Sequence, residues 1–171
     1  MVAVLEGEYL ELRTMPESDI PALLKIYQGT PLYFDGLDYD VARITLDAVH
    51  DQWQQAQQSE HYYLLGVYHI ETDLLIGVAD VQLNMPQQGD ASLWLLIWGG
   101  FQRQGYGQEC LALLESWLHT AYQITELYAI AANNEEGQSF LELQGFRPTG
   151  ASATPPIGQG EAFWMRRMGD G

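Results

Sequence analysis

Basic residues are scarce in this chain. Seven lysines and arginines stand against 23 aspartates and glutamates in 171 residues, which gives a formal net charge of −16 at pH 7. Such a charge repels nucleic-acid phosphates, so nucleic-acid binding is disfavoured. The same charge would attract cationic amines or a basic polypeptide, although an acidic surface also serves simply to keep a protein soluble.

Cysteines and long apolar runs are also scarce. Cys110 is the only cysteine, which excludes an intrachain disulfide, and its helical surroundings favour a structural role. The four histidines are scattered without paired ligand spacing, so no metal site is expected. No stretch approaches the ~20 uninterrupted apolar residues that cross a bilayer, and the N-terminus has no signal-peptide pattern. We expect a soluble cytoplasmic protein without a membrane partner, either a monomer or a homodimer.

The remaining composition is typical of a globular fold. Apolar residues make up 47% of the chain and charged residues 18%, proportions far from those of disordered proteins. The length suits one domain, and the sequence shows no internal repeat or long linker. We therefore expect a single domain over residues 1–171.

The hydrophobic pattern of the first half predicts a strand, two helices and a hairpin. Residues 9–13 alternate as a short strand does, and apolar positions at helical spacing predict helices at about residues 20–27 and 40–57. Two β-rich runs, residues 62–69 and 74–83, flank a short polar turn and predict an antiparallel hairpin.

The second half predicts a β-α-β unit around a buried strand. Residues 91–98 are nearly all apolar, as in a strand covered on both faces at the centre of a sheet. A helix over residues 107–122 and a strand over residues 127–132 follow. The last predicted elements are a helix over residues 135–144 and strands over residues 146–149 and 162–168.

Two glycines lie between the buried strand and the long helix. They are Gly105 and Gly107, in the segment Gln-Arg-Gln-Gly-Tyr-Gly-Gln of residues 102–108. Glycines at this spacing allow a sharp turn and leave backbone N–H groups accessible at the positive end of a helix, where proteins bind phosphate. Arg103 could add a charge-assisted contact. The segment predicts an anion site that an acidic protein can possess.

Other interpretations of the glycine segment fit less well. A nucleotide-hydrolase phosphate loop requires Lys-Ser or Lys-Thr after its last glycine, where this chain has Gln108 and Glu109. A dinucleotide fingerprint requires a third small residue near Cys110 and a parallel sheet, whereas the preceding strands are predicted to form a hairpin. Taken alone, the glycines would also suit a turn that merely starts a helix.

The segment resembles the Gln/Arg-x-x-Gly-x-Gly/Ala motif of the GNAT acetyltransferases, as Gln102-x-x-Gly105-x-Gly107. Downstream, Asn133-Asn134, a Ser-Phe-Leu helix and Gly145-Phe146 are similar to that family's asparagine, helix and Gly-Phe signature. The resemblance extends over residues 8–168. It implies an α/β (α+β) GNAT fold with about four helices and a mixed central sheet of six to seven strands, splayed between the fourth and fifth strands.

The resemblance also implies that acetyl-CoA is the cosubstrate and lies between those two strands. Asn134 would contact the cofactor or cap the next helix. The family places part of its acceptor site near residues 28–39, which makes Tyr33, Phe34 and Asp35 candidate substrate contacts. The implied cofactor-binding residues, in chain order, are Leu96, Ile97, Gly99, Gln102, Arg103, Gln104, Gly105, Tyr106, Gly107, Gln108 and Asn134.

The residues that usually transfer protons in this family differ here. Ser92 stands where a glutamate often acts as base, and Leu141 where a tyrosine acts as acid. Acetyl transfer to nitrogen requires a neutral amine, because an ammonium with a pKa of ~10 has no lone pair. Asp80 interrupts an apolar run and is a candidate base beside Ser92, although an acid in a half-buried strand usually faces solvent.

The sequence therefore predicts an N-acetyltransferase that uses acetyl-CoA. Its acceptor would be a small amine, an aminoglycoside-like polyamine, or the N-terminus or a lysine of a protein. The departures at Ser92 and Leu141 leave open a non-catalytic acyl-CoA-binding or sensing domain. A dinucleotide-binding module is a third alternative.

Overall fold

The computed structural model describes residues 4–30, 40–101, 104–124, 126–132, 135–157 and 162–167. These residues contain eight strands and four α-helices. The strands are β1 Leu5–Glu6, β2 Leu10–Thr14, β3 Tyr62–His69, β4 Leu75–Leu83, β5 Ala91–Ile97, β6 Leu127–Ala132, β7 Phe146–Ala153 and β8 Ala162–Arg167. The helices are α1 Ile20–Gln28, α2 Leu46–Gln57, α3 Tyr106–Tyr122 and α4 Glu135–Leu143. Among these residues no helix is long and apolar enough to cross a membrane.

The strands form one mixed sheet in the order β1-β2-β3-β4-β5-β6-β8-β7. β5 lies near its centre, and its apolar side chains alternate between two hydrophobic cores. Leu93 and Ile97 pack in the core that includes α3, whereas Trp94 and Leu96 pack in the core of α1 and α2. Burial on both faces explains why the sequence of β5 is a continuous apolar run.

The β5–β6 ladder is short. The two strands are parallel, and their pairing extends only from Ala91↔Leu127 to Leu93↔Ala129. β5 continues to Ile97, while β6 continues to Ala132 in antiparallel pairing with β8. The ladder thus ends at the strand pair where the sequence predicts that the sheet splays.

The structure confirms the mixed sheet and the helix content, with more strands than the six to seven predicted. The additional strand is β1, which has two residues and pairs with β2; such a segment is too short to show periodicity. The helix predicted over residues 40–57 is interrupted, because a 3-10 turn, Val41–Arg43, precedes α2. Thr45 caps α2 by accepting a hydrogen bond from the N–H of Ala48 at 3.1 Å.

Candidate active site

The start of α3 has the backbone geometry of an anion site. Gly105 is the N-cap residue with φ 81°, a left-handed conformation that favours glycine. The first intrahelical bond there runs from the N–H of Glu109 to the carbonyl of Gly105, at 3.1 Å. The preceding N–H groups, those of residues 105–108, have no carbonyl partner within the helix. A Cβ added to Gly105 would meet no atom of the described residues within 4 Å, so no described side chain packs against this face of the N-cap residue.

Gly107 has a different role from Gly105. A Cβ on Gly107 would lie 2.8 Å from Cζ of Phe140, a residue of α4. Glycine here allows α3 and the Phe140 ring to approach each other closely. The sequence alone assigns both glycines to backbone approach by a ligand, whereas the contacts give Gly107 a packing role.

The end of β5 is fixed against two neighbouring elements. The N–H of Trp98 donates to the carbonyl of Ile76 at 2.7 Å, which continues the pairing with β4. A Cβ on Gly99 would lie 3.0 Å from the carbonyl oxygen of Gly29, the C-cap residue of α1. The strand end and the start of α3 are thus connected by a short turn, Gly99–Phe101, that packs against α1.

The implied cofactor-binding residues that can be located lie along this connection. Leu96 and Ile97 end β5 and are buried, and Gly99 begins the turn. Gln104 is exposed just before the helix, and Gly105 is its N-cap. Tyr106, Gly107 and Gln108 form the first turn of α3. The cofactor candidates Gln102, Arg103 and Asn134, and the substrate candidates Tyr33, Phe34 and Asp35, lie outside the described residues.

Asp80 is buried rather than solvent-facing. Its exposure is 2%, and it lies in β4 opposite Trp94 of β5. Nε2 of Gln52 donates to Oδ2 of Asp80 at 3.0 Å, and the hydroxyl of Tyr62 donates to the same oxygen. Nε2 of Gln82 lies 3.4 Å from Oδ1. These donors explain how the sheet accommodates a buried carboxylate.

Burial shifts the ionisation of this cluster. Desolvation raises the pKa of Asp80 to about 6, although the hydrogen bonds from Tyr62, Gln52 and Gln82 favour the ionised form. Burial also raises the pKa of Tyr62, and the negative charge of Asp80 raises it further. Near neutral pH the pair therefore consists of a carboxylate that accepts a hydrogen bond from a neutral phenol.

A cavity of about 280 Å³ adjoins Asp80 on the α2 face of the sheet. Asp80 itself does not line it, but its three hydrogen-bond donors do. The hydroxyl of Tyr27 donates to Oε1 of Gln52 at 2.7 Å, which orients the amide so that its nitrogen faces Asp80. The described lining residues of this cavity, called here the α2 cavity, are Ile44, Ala48, Asp51, Gln52, Gln55, Tyr62, Gln82, Pro156 and Ile157.

Ser92 and Leu141 lie on opposite faces of the sheet. Ser92 is 3% exposed and stands between Gln82 of β4 and Tyr128 of β6 in the strand register. Its side chain therefore projects to the α2 face, as Gln82 does. Leu141 lies in α4 and packs against the core on the α3 face. Of these two positions, only Ser92 shares a face with Asp80.

Tyr62, Gln82 and Gln52 are polar site residues that sequence reasoning did not identify. A signal existed for two of them, because Gln82 is two residues after Asp80 and the hairpin places Tyr62 opposite Gln82. Side chains two residues apart on a strand share a face. No comparable pattern marks Gln52, which reaches Asp80 from a helix 28 positions earlier in the chain.

Comparison with known families matches residues 9–147 to the acetyltransferase (GNAT) domain. No curated protein sequence matches the chain. Among solved structures, an acetyltransferase from Thermus thermophilus has a TM-score of 0.76 at 24% identity, over 94% of this chain and 97% of that one.

Two further solved structures are enzymes that modify a ribosomal protein. An acetyltransferase from Salmonella typhimurium that modifies the N-terminal serine of protein L7/L12 has a TM-score of 0.77 at 17% identity, over 98% of this chain and 100% of that one. A ribosomal L7/L12 α-N-protein acetyltransferase in complex with coenzyme A has a TM-score of 0.75 at 16% identity, over 98% and 99%. At these identities the similarity shows a shared fold.

Proposed function

The chain belongs to the GNAT acetyltransferase family, and on that premise we propose that it transfers the acetyl group of acetyl-CoA to a primary amine by direct attack. The observation that carries the proposal is the start of α3, where Gly105 is an exposed left-handed N-cap residue and the N–H groups of residues 105–108 have no carbonyl partner within the helix. These groups and the helix dipole would hold the pyrophosphate. The adjoining end of β5, with Leu96, Ile97 and Gly99, would bind the pantetheine arm in the manner of an added strand.

The acceptor would approach from the other face of the sheet. Asp80, the α2 cavity and Ser92 all lie on the α2 face, whereas α3 packs on the opposite one. The β5–β6 ladder ends after Leu93, one residue before the Asp80↔Trp94 pair. Gln82, which lines the cavity, pairs with Ser92 of β5, which lies within that ladder. An amine in the cavity would extend past Gln82 to reach the place where the two strands part. Backbone N–H groups of β5 in this region would stabilise negative charge on the thioester oxygen.

The test is a panel of primary amines, each incubated with acetyl-CoA, with thiol release and the mass of the acetylated product as readouts. The panel contains a monoamine, a diamine, a polyamine, an aminoglycoside and a lysine peptide. It also contains a peptide with N-terminal serine, because two structures of similar fold modify the N-terminus of a ribosomal protein. We expect at least one amine to give thiol release matched by acetylated product.

The outcomes separate the alternatives. Acetyl-CoA binding without amine-dependent thiol release across the panel would support the acyl-CoA-binding or sensing domain that Ser92 and Leu141 leave open. Failure to bind acetyl-CoA in calorimetry, combined with affinity for a nicotinamide dinucleotide, would support the dinucleotide-binding module. Either result would overturn the proposed transfer reaction.

A further inference from the structure

Asp80 is separated from the α2 cavity by its own hydrogen-bond donors. Gln52 and Gln82 present amide groups, which do not titrate. Tyr62 is the donor whose oxygen can release one proton to the carboxylate and accept another from a ligand. Tyr62 both lines the cavity and donates to Asp80, so its hydroxyl is the group that would connect a ligand to the carboxylate.

The lining of the α2 cavity favours an aliphatic cation. Asp51 supplies a carboxylate from α2, and none of the described lining residues is basic. Ile44, Ala48, Pro156 and Ile157 supply apolar surface. The buried charge of Asp80 lies directly behind the polar wall. A primary amine on a short aliphatic chain combines the positive charge and the apolar surface that such a lining accommodates.

We propose that the α2 cavity is the acceptor pocket for a short-chain primary amine, and that Tyr62 passes a proton from the reacting nitrogen to Asp80. The inference rests on the proposed acetyl transfer and specifies its acceptor side. Tyr62 would contact the substrate, and Asp80 would act through Tyr62. Gln52 and Tyr27 would be positioning residues that hold the carboxylate in place.

Tyr62, Asp80 and solvent together accept and return every proton that moves in the proposed reaction. The bound ammonium first loses one proton, which moves to Oη of Tyr62 as the phenolic proton moves to Oδ2 of Asp80. The freed nitrogen lone pair then forms the bond to the acetyl carbon, the carbon–sulfur bond breaks, and its electron pair leaves on sulfur. The second nitrogen proton passes through solvent to the thiolate, and Asp80 returns its proton to solvent after the amide leaves.

Few ionisable groups face Asp80. Tyr62 approaches from β3, Tyr27 reaches it through Gln52 from α1, and Asp51 lies on α2 at the cavity wall. Burial raises the pKa of Asp80 to about 6, its hydrogen bonds oppose the rise, and no charged group in the described part of the chain contributes to the shift. The carboxylate is therefore ionised, and able to accept a proton, at neutral pH, and loses that ability as the pH falls through about 6.

The test combines kinetics with binding. Asp80→Asn should lower kcat for the best amine of the panel by about 100-fold at neutral pH, within the usual range for loss of a general base. It should also remove the fall in kcat below pH about 6. Tyr62→Phe should lower kcat and should likewise remove the fall below pH about 6, because the nitrogen proton no longer reaches Asp80. Tyr63→Phe and Asp73→Asn are matched controls on the same hairpin, and we expect wild-type profiles from both.

A second variant tests the pocket without touching the carboxylate cluster. Ala48→Phe fills the cavity from α2, so calorimetric affinity for the amine should fall at least about 10-fold while affinity for acetyl-CoA is kept. Ala121→Phe makes the same change at an exposed position of α3 and should alter neither affinity. Unchanged amine affinity in folded Ala48→Phe would overturn the pocket assignment.

The remaining outcomes distinguish failure of the proton relay from failure of the proposed acetyl transfer. If amines are acetylated but folded Tyr62→Phe and Asp80→Asn keep the wild-type pH profile, the proton relay is wrong and the transferase proposal stands. A uniform loss of kcat at every pH would indicate a structural role and would also overturn the relay. If no amine is acetylated by the wild-type protein, the proposed function itself fails.

Discussion

Asp80 is a carboxylate buried in the sheet, and the described residues provide it with no cationic partner. Three side-chain donors surround it, and desolvation nevertheless outweighs them in setting its pKa. A fully buried acid of this kind lowers stability when ionised, because the unfolded chain hydrates the charge better than the folded protein does. The proposed Tyr62 relay would give the ionised form a function.

The burial of Asp80 predicts a pH-dependent stability. Its folded-state pKa of about 6 exceeds the ordinary aspartate value of 3.8, so the folded protein binds the proton more tightly than the unfolded chain. The cost of ionisation is absent below pH about 4, grows as the pH rises, and is complete above about 6. A shift of about two pKa units corresponds to about 3 kcal/mol.

Asp80→Asn removes this ionisation while nearly preserving the side-chain shape. The free energy of unfolding of the variant, relative to wild type, should therefore rise by up to about 3 kcal/mol between pH about 4 and about 7.5. Denaturant titration at several pH values measures this difference, and Asp73→Asn provides the exposed-site control. A difference that is independent of pH would mean that Asp80 ionises as an exposed aspartate does.

Among the elements, α2 forms one wall of the α2 cavity, the proposed acceptor pocket. Its N-cap residue is Thr45, whose hydroxyl accepts a hydrogen bond from the N–H of Ala48. Ala48 lines the cavity in the first turn of the helix, and Gln52 follows one turn later. The conformation of this first turn therefore determines where Ala48 lies in the cavity wall.

Thr45→Ala should destabilise the protein by about 1 kcal/mol through loss of the helix cap. Because the uncapped turn carries Ala48, the KM for the amine should increase by more than the KM for acetyl-CoA. Steady-state kinetics, with the amine and acetyl-CoA varied in turn, measures both KM values. Thr120→Ala, at an exposed position late in α3, is the control. Equal changes in both KM values would indicate a global effect instead of a local one.

The sequence predicts the elements better than it predicts their side-chain partners. Helical and strand periodicity locates α1, the β3–β4 hairpin and β5, because each buries a continuous apolar face. The break before α2 is not predicted, since the spacing of apolar residues continues across it. The environment of Asp80 is not predicted either, because its burial depends on how α2 packs over β4 and no local pattern encodes that contact.

At the scale of the whole molecule, the two sides of the sheet have different tasks in this account. The α3 side presents helix N–H groups for a polyanion, and the α2 side presents carboxylates for a cation. The net charge of −16 acts on both substrates at long range. It attracts a cationic amine and repels acetyl-CoA.

Salt should therefore affect the two substrates in opposite directions. Raising the ionic strength from about 0.05 to about 0.5 M screens the field of the protein. The KM for a polyamine acceptor should increase several-fold, whereas affinity for acetyl-CoA should stay constant or improve. Kinetics for the amine and calorimetry for acetyl-CoA measure the two effects. A salt-independent KM for a polycationic acceptor would contradict electrostatic attraction by the acidic chain.

In the proposed complex, backbone N–H groups at the start of α3 hold the pyrophosphate of acetyl-CoA. Gly105 and Gly150 provide a matched pair, because their φ angles are 81° and 82° and neither has an atom of the described residues within 4 Å of an added Cβ. Replacement by alanine strains the backbone equally at both positions, but only at Gly105 does the new methyl group enter the proposed anion site. Calorimetric titration with acetyl-CoA is the direct test: we predict at least about 10-fold weaker binding for Gly105→Ala than for Gly150→Ala, and wild-type affinity in both folded variants would contradict the claim.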